Sequence, residues 1–143
     1  MESKPQRQSE PEDSGHQDPE EGFTWSPKPL SELTQADVQR LAAPALRIFH
    51  HVADAWQLNA DQRRGLLGAD SILGIEQIER VSLILGIYRN LHTVLPASAD
   101  GWVHRPNSNP RFDGQSALAL MISNGLDGIW LVRNHLEAWA QGE

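Results

Sequence analysis

The apolar segment from Ile75 to Leu95 constrains the fold most. Apolar residues recur there with the period of an α-helix, and further aliphatic residues widen the stripe beyond one face. Pro96 ends the segment. A helix that is apolar over so much of its circumference is buried between layers of one protein or between two copies of the chain. We favour the second arrangement, because the ordered chain is short, and predict a homodimer through residues 75–95.

A helical pattern also precedes this segment. Thr34 with Asp37 has the spacing of a capping box. Apolar residues then recur at helical spacing from Val38 to Trp56, but Pro44 falls inside the pattern. Because proline removes a backbone donor and clashes with the preceding turn, we predict a short helix, a kink near Pro44 and a second helix that ends at Trp56.

The next helix is short. Asn59 with Gln62 forms a second capping-box pattern, and Gly68 is the expected stop. Two helices joined in this way begin a helix-turn-helix unit, which a recognition helix with polar and basic residues should complete. No basic residue lies between Arg64 and Arg80. The pattern therefore predicts a helix-turn-helix without its base-reading element, and it disfavours DNA binding.

An irregular connector with an aromatic residue near each end follows the long helix. It runs from Trp102 to Gly114 and is rich in Pro, Asn and Gly. Loops are usually polar, so aromatic residues in one indicate a fixed conformation. We expect Trp102 and Phe112 to fill the core, and Pro106, Asn107 and Gly114 to set a turn that directs the last helices.

Two helices are predicted after the connector. Ser116 caps the first, and Asn124–Gly125 ends it because both residues tolerate the left-handed conformation. Asp127 begins the second, whose apolar face carries Ile129, Val132, Leu136 and Ala140. We expect Trp130 to close the core and Trp139 to contact a partner.

Composition excludes several classes of function. The 143 residues include no cysteine, so no disulfide framework, thiolate nucleophile or zinc-finger pattern is possible. The net charge of -7 argues against non-specific binding to nucleic acid. No apolar run approaches the roughly 20 residues that span a bilayer, and the first residues lack a signal-peptide pattern, so we expect a cytoplasmic protein. Residues 1–28 are acidic and poor in apolar side chains, which is typical of a disordered tail.

The chain carries no recognisable catalytic pattern. It has no Gly-rich phosphate loop, no nucleophile elbow and no pair of carboxylates with a catalytic spacing. His50 and Asp54 stand one helical turn apart, but without a third ligand we interpret them as part of a helix face. His104 and Arg105 are interpreted as solvated or as capping a helix end. We therefore expect no enzymatic activity, no cofactor and no metal.

Three segments together resemble the Xre/MbcA/ParS antitoxin family. The first is Leu58-x-x-x-Gln62-Arg63-x-x-Leu66-Leu67-Gly68. The second is Glu79-Arg80-x-Ser82-x-Ile84-Leu85-Gly86-Ile87-Tyr88-x-x-Leu91. The third is Trp102-x-x-Arg105-Pro106-Asn107-x-x-Pro110-x-Phe112-x-Gly114-x-Ser116-Ala117-Leu118. The resemblance extends from Leu30 to the end of the chain.

This resemblance implies an all-α antitoxin of a type II toxin–antitoxin system, with an Xre-like helix-turn-helix region at residues 29–74 and a toxin-binding domain at 75–143. Toxins of the family have a RES domain and degrade NAD. Its antitoxins dimerise, and their C-terminal segment lies against the toxin near the nucleotide pocket, which occludes the active site. The implied toxin-binding residues are Arg133, Leu136, Trp139, Ala140, Gln141, Gly142 and Glu143. The implied structural residues of the connector are Trp102, Arg105, Pro106, Asn107, Phe112 and Gly114.

Two alternatives remain open from the sequence. Family members usually have a recognition helix between the Leu-Leu-Gly motif and the long helix, and this sequence lacks it. A DNA-binding autorepressor would therefore have to rely on phosphate contacts from Arg63, Arg64 and Arg80. The other alternative is a helical scaffold with no toxin partner. We favour the antitoxin, with a RES-domain toxin as its partner.

Overall fold

The computed structural model describes residues 32–142 as an all-helical protein, with no β-strand in this range. Its helices are α1 (Gln35–Ala55), α2 (Ala60–Leu67), α3 (Ile75–Val94), α4 (Ala99–Trp102), α5 (Ala117–Asn124) and α6 (Leu126–Ala140). A 3-10 turn, Pro110–Phe112, lies in the connector between α4 and α5. The predicted all-α fold is confirmed. The tail predicted at residues 1–28 lies outside the described residues.

Helix α3 is the centre of the core. It packs against α1 and α6 and also contacts α2 and α4. Ile78, Ile87 and Leu91 are completely buried, and so is almost all of Ile84. Because other helices of the same chain cover α3, the width of its apolar surface does not require a second copy. The homodimer through residues 75–95 stays a prediction. No helix within residues 32–142 has the length and apolar character needed to cross a membrane.

The core is one apolar cluster that extends from Leu33 to Leu136. Helix α1 packs on α3, and α2 packs on α5, so helices from both sides of residue 74 contribute to it. The segment between α2 and α3, residues 68–74, contains no helix. Residues on both sides of residue 74 therefore share one core, and the division into residues 29–74 and 75–143 stays a prediction.

Local hydrogen bonds explain where α1 and α2 begin. The Thr34 hydroxyl accepts from the backbone N–H of Asp37 at 3.1 Å, and the Asp37 carboxylate accepts from the Thr34 N–H at 2.9 Å. Asn59 and Gln62 exchange the same pair of bonds at 2.8 and 2.9 Å. Gly68 ends α2 in the left-handed conformation, with φ of 83°. Both predicted capping boxes and the predicted stop are confirmed.

The predicted interruption at Pro44 is wrong, because α1 runs through it as one helix. Val38 and Leu41 before the proline and Ala45 and Phe49 after it all lie on the buried face. A proline in a helix interior costs about 3 kcal/mol. Burial of apolar side chains from both halves of α1 offsets this cost, because each such side chain contributes about 1.5–3 kcal/mol.

Arg80 is a buried charge that joins three segments. Its guanidinium donates to the Leu66 carbonyl at 3.1 Å and to the Glu76 carboxylate at 2.7 and 3.0 Å. A Cβ atom at Gly68 would lie 2.8 Å from the Arg80 Cζ atom, and a Cβ at Gly125 would lie 3.3 Å from Nη2. The two glycines thus leave the space that the guanidinium fills. Arg80 thereby connects the end of α2, the helix α3 and the turn between α5 and α6.

Replacing Pro44 with alanine should raise the free energy of unfolding by about 1–3 kcal/mol, because alanine restores a backbone donor inside α1. Urea denaturation followed by circular dichroism measures the change. Pro96→Ala is the matched control, since Pro96 lies beyond the end of α3. A Pro44→Ala protein no more stable than the Pro96→Ala protein would contradict the explanation.

Replacing Arg80 with methionine should lower the free energy of unfolding by about 1–3 kcal/mol, because the Leu66 carbonyl loses its charged donor. The same measurement on Arg47→Met supplies the control, since Arg47 is exposed on α1. Equal stabilities of the two variants would show that the Arg80 contacts contribute nothing.

Candidate functional site

One face of α6 fixes this helix in the core. Ile129, Val132 and Leu136 are completely buried, whereas Ala140, which was predicted on the same face, is exposed at the end of the helix. The interpretation of Leu136 as a toxin-contacting residue therefore needs correction. Its side chain anchors α6 and offers no surface to a partner.

Gly128 sets the distance between α6 and α5. A Cβ atom at this position would lie 2.5 Å from the Leu120 carbonyl oxygen and 3.1 Å from the Met121 Cα atom. Real Cβ atoms do not approach backbone atoms so closely, so only glycine permits this crossing. The crossing and the buried face together fix the direction in which α6 leaves the core.

The two tryptophans of α6 are equally exposed, at 38% each. The prediction that Trp130 closes the core is therefore wrong. Its indole N–H donates to the Glu79 carboxylate at 3.3 Å, and the Arg133 Cζ atom lies 5.5 Å from the ring centroid. These contacts, one with α3 and one within α6, hold Trp130 on the surface. Trp139 lies on the last turn of α6, where the sequence predicted a partner-binding residue.

A groove with a volume of about 600 Å³ lies between the last turns of α6 and the connector. One side is aromatic and the other is polar. The aromatic side consists of Trp102, His135 and Trp139, and the polar side includes Asn107, Asn109 and Arg111. The ring of Trp102 lies nearly parallel to that of His135, and their centroids are 6.3 Å apart. The centroids of the Trp102 and Trp139 rings are 6.4 Å apart.

Short-range hydrogen bonds shape the connector. The Asn107 N–H donates to the Gln115 carbonyl at 3.1 Å, and Pro106 forms an isolated bridge with Ser116. Asp113 and Gly114 both have the left-handed conformation, with φ of 53° and 79°. This turn returns the chain towards α5.

Both rings of the connector are buried. Phe112 is inaccessible to solvent and Trp102 is 9% exposed. Their ring planes are nearly perpendicular, with centroids 6.1 Å apart. Arg105, the remaining connector residue singled out by the sequence, is exposed. Nearby, the His104 ring nitrogen lies 2.6 Å from the Trp56 carbonyl oxygen, which ties the connector to the end of α1.

The sequence did not identify His135 or Arg111 as site residues. His135 follows Val132 and precedes Trp139 at helical spacing, which was the only available signal. Burial lowers the pKa of His135 below its usual value, and the positive charge of Arg111 lowers this pKa further. The neutral imidazole is thereby favoured, so the aromatic side of the groove carries no charge at neutral pH.

Arg63 occupies the space between His50 and Asp54. Its guanidinium donates to the Asp54 carboxylate at 2.7 Å and lies 3.0 Å from the His50 ring nitrogen. Arg63 therefore contacts both of the side chains whose sequence spacing would suit a metal ion. No group of three or more potential metal ligands occurs within residues 32–142.

The three arginines considered for DNA contacts all have partners within the chain. Arg63 is paired as described, and Arg64 contacts Asp61 at 2.9 Å and Asp70 at 2.7 Å. Arg80 is buried among its own partners. Phosphate binding by these residues would require them to exchange existing ion pairs, and no contact in the described range favours it.

Comparison with known proteins connects the groove to a family. Residues 94–142 match the model of the antitoxin Xre/MbcA/ParS C-terminal toxin-binding domain, which spans α4, the connector, α5 and α6. The chain is also similar to the uncharacterized protein y4oB of Sinorhizobium fredii (strain NBRC 101917 / NGR234). The two are 35% identical over an alignment of 111 positions, and the alignment covers 68% of this chain and 84% of y4oB. No solved structure matches the chain at a significant level. The chain therefore belongs to one family with y4oB, and its groove and the end of α6 lie within the segment that matches the antitoxin Xre/MbcA/ParS C-terminal toxin-binding domain.

Proposed function

We propose that this protein is the antitoxin of a type II system and that it neutralises a RES-domain toxin, which degrades NAD, by placing the end of α6 over the toxin's active site. The observation that carries the proposal is the exposed Trp139 on the last turn of α6, inside the matched toxin-binding domain. Because NAD is consumed inside the cell, the proposal places the antitoxin in the cytoplasm.

The structure favours Trp139 as the anchor of such a complex. Aromatic residues at the centre of an interface contribute a large share of the binding energy. The buried residues Val132 and Leu136 hold α6 rigidly, so little conformational freedom remains to be lost on binding. Trp139 thus has both the chemistry and the fixed position of an interface anchor.

The residues after Trp139 supply polar contacts in this proposal. Ala140, Gln141 and Gly142 are exposed, and Gly142 has a left-handed backbone with φ of 86°. Glu143 lies outside the described residues. In the complex its carboxylate would contact the basic groups of the toxin that hold the NAD phosphates, because such groups donate hydrogen bonds to carboxylates as well as to phosphates.

Arg133 has a different position from the other proposed contacts. Its guanidinium pairs with Glu137 at 3.1 Å and lies over the Trp130 ring. Partly exposed ion pairs of this kind contribute about 0–1 kcal/mol. We therefore assign Arg133 to the edge of the interface and expect its replacement to have a smaller effect than that of Trp139.

Replacing Trp139 with alanine should weaken binding to the proposed RES-domain toxin by about 10–100-fold. Isothermal titration calorimetry measures the affinity. Neutralisation is measured by the growth and the NAD content of cells that express the toxin together with each variant. Trp130→Ala is a matched control on the same helix, since its side chain is equally exposed. Equal losses in the two variants would argue against Trp139 as the anchor.

Occlusion is tested separately with the purified toxin and a non-hydrolysable NAD analogue. The complex should neither cleave NAD nor bind the analogue. A complex that binds the analogue as tightly as the free toxin does would contradict occlusion. Failure of the toxin to bind the antitoxin at all would contradict the proposed partner.

A further inference from the structure

We propose that the groove between α6 and the connector receives an acidic side chain of the toxin, with an apolar neighbour of that residue against the aromatic side. This inference rests on the proposed toxin-binding function and specifies the chemistry of a second contact beside Trp139. It assigns a role to the polar side of the groove, which neither the family match nor the exposed tryptophan explains.

Arg111 supplies the positive charge. Its side chain is exposed, and the structure shows no ion pair for it within residues 32–142. By contrast, Arg63, Arg64, Arg80 and Arg133 each pair with a carboxylate of the chain. The protein as a whole carries a net charge of -7. A guanidinium with no ion pair among the described residues is available to a carboxylate from another molecule.

Asn107 and Asn109 add hydrogen-bond donors. The Asn107 side-chain oxygen accepts from the Asn109 backbone N–H at 2.8 Å, and the Asn109 side-chain oxygen accepts from the Arg111 N–H at 2.9 Å. With their oxygens used in the connector, the amide nitrogens of these side chains remain as donors. Among residues 32–142, no acidic side chain lines the groove. Its polar side therefore favours an acceptor with negative charge.

The opposite side accepts an apolar group. Trp102, His135 and Trp139 form an aromatic surface, and the lowered pKa of His135 keeps its ring uncharged at neutral pH. An acidic residue with an adjacent apolar side chain would match both sides at once. It would contact donors on the connector and aromatic rings on α6.

A carboxylate of the toxin fits better than a free phosphate. The groove contains one guanidinium and neutral amides, whereas phosphate sites usually combine several charged donors. Trp139 belongs to both the groove and the proposed toxin contact. Binding through Trp139 would therefore hold a toxin side chain beside Arg111 at a high effective concentration.

The test compares Arg111→Glu with Arg47→Glu in the full-length antitoxin. Both positions are exposed and both changes alter the net charge equally, but Arg47 lies on α1. Arg111→Glu should weaken binding of the RES-domain toxin by about 10–100-fold, and Arg47→Glu by less than about 3-fold. Circular dichroism checks the fold, and Arg111→Gln replaces Arg111→Glu if the charge reversal destabilises it.

A charge-reversal scan identifies the partner residue. Each surface Asp or Glu of the toxin is changed to Lys, and one such change should restore binding to the Arg111→Glu antitoxin. Restoration by no toxin variant would overturn the assignment of an acidic side chain. Inorganic phosphate at 10 mM supplies a second test. If it shifts the His135 NMR signals and displaces the toxin, the assignment of an acidic side chain is overturned as well.

The combined results separate this inference from the proposed function. If Trp139→Ala weakens the complex but Arg111→Glu behaves like Arg47→Glu, the groove contact is wrong and toxin binding through α6 stands. If neither change weakens binding, the contact through Trp139 at the end of α6 is wrong as well, whereas loss of the proposed partner would appear as a toxin that does not bind the unchanged protein. If Arg111→Glu tightens binding, the groove does not receive an acidic side chain of the toxin, and the inference is overturned.

Discussion

The buried guanidinium of Arg80 is the interaction on which the arrangement of the helices depends. A buried charge is costly unless its donors are satisfied, and the carbonyl of Leu66 and the carboxylate of Glu76 satisfy them here. Gly68 and Gly125 make room for the charge at two chain reversals. One side chain of the central helix thereby holds the end of α2 and fills the space beside the turn that leads into α6.

Helix starts and stops were predictable because they depend on residues close in sequence. Thr34 and Asp37, only one turn apart, were sufficient to predict the first cap. Pro44 and Trp130 were predicted wrongly because their outcome depends on distant neighbours. The apolar side chains packed on α3 keep α1 continuous through Pro44, and Glu79 holds Trp130 at the surface. Neither contact leaves a periodic signal in the sequence.

The candidate site was predictable only in part for the same reason. Trp139 stood out because an aromatic residue lies at the end of a helix outside its apolar stripe. The groove combines side chains from the connector and from α6, and the connector has no periodicity from which side-chain directions follow. Arg111 is exposed although the next residue, Phe112, is buried. Both belong to a tight 3-10 turn, in which neighbouring side chains point in different directions. Only the folded chain brings Arg111 and His135 together.

Trp102 belongs to the core and to the groove at the same time. Its ring packs edge-on against Phe112 in the interior, while it lies parallel to His135 beside the groove. A molecule that contacts Trp102 in the groove binds only while the core around this ring is intact. By thermodynamic linkage, such a ligand at 100 times its dissociation constant stabilises the native state by about 2.7 kcal/mol. With such a ligand bound, the protein unfolds less often than the free chain does, so its resistance to proteases reports how much of the ligand is bound.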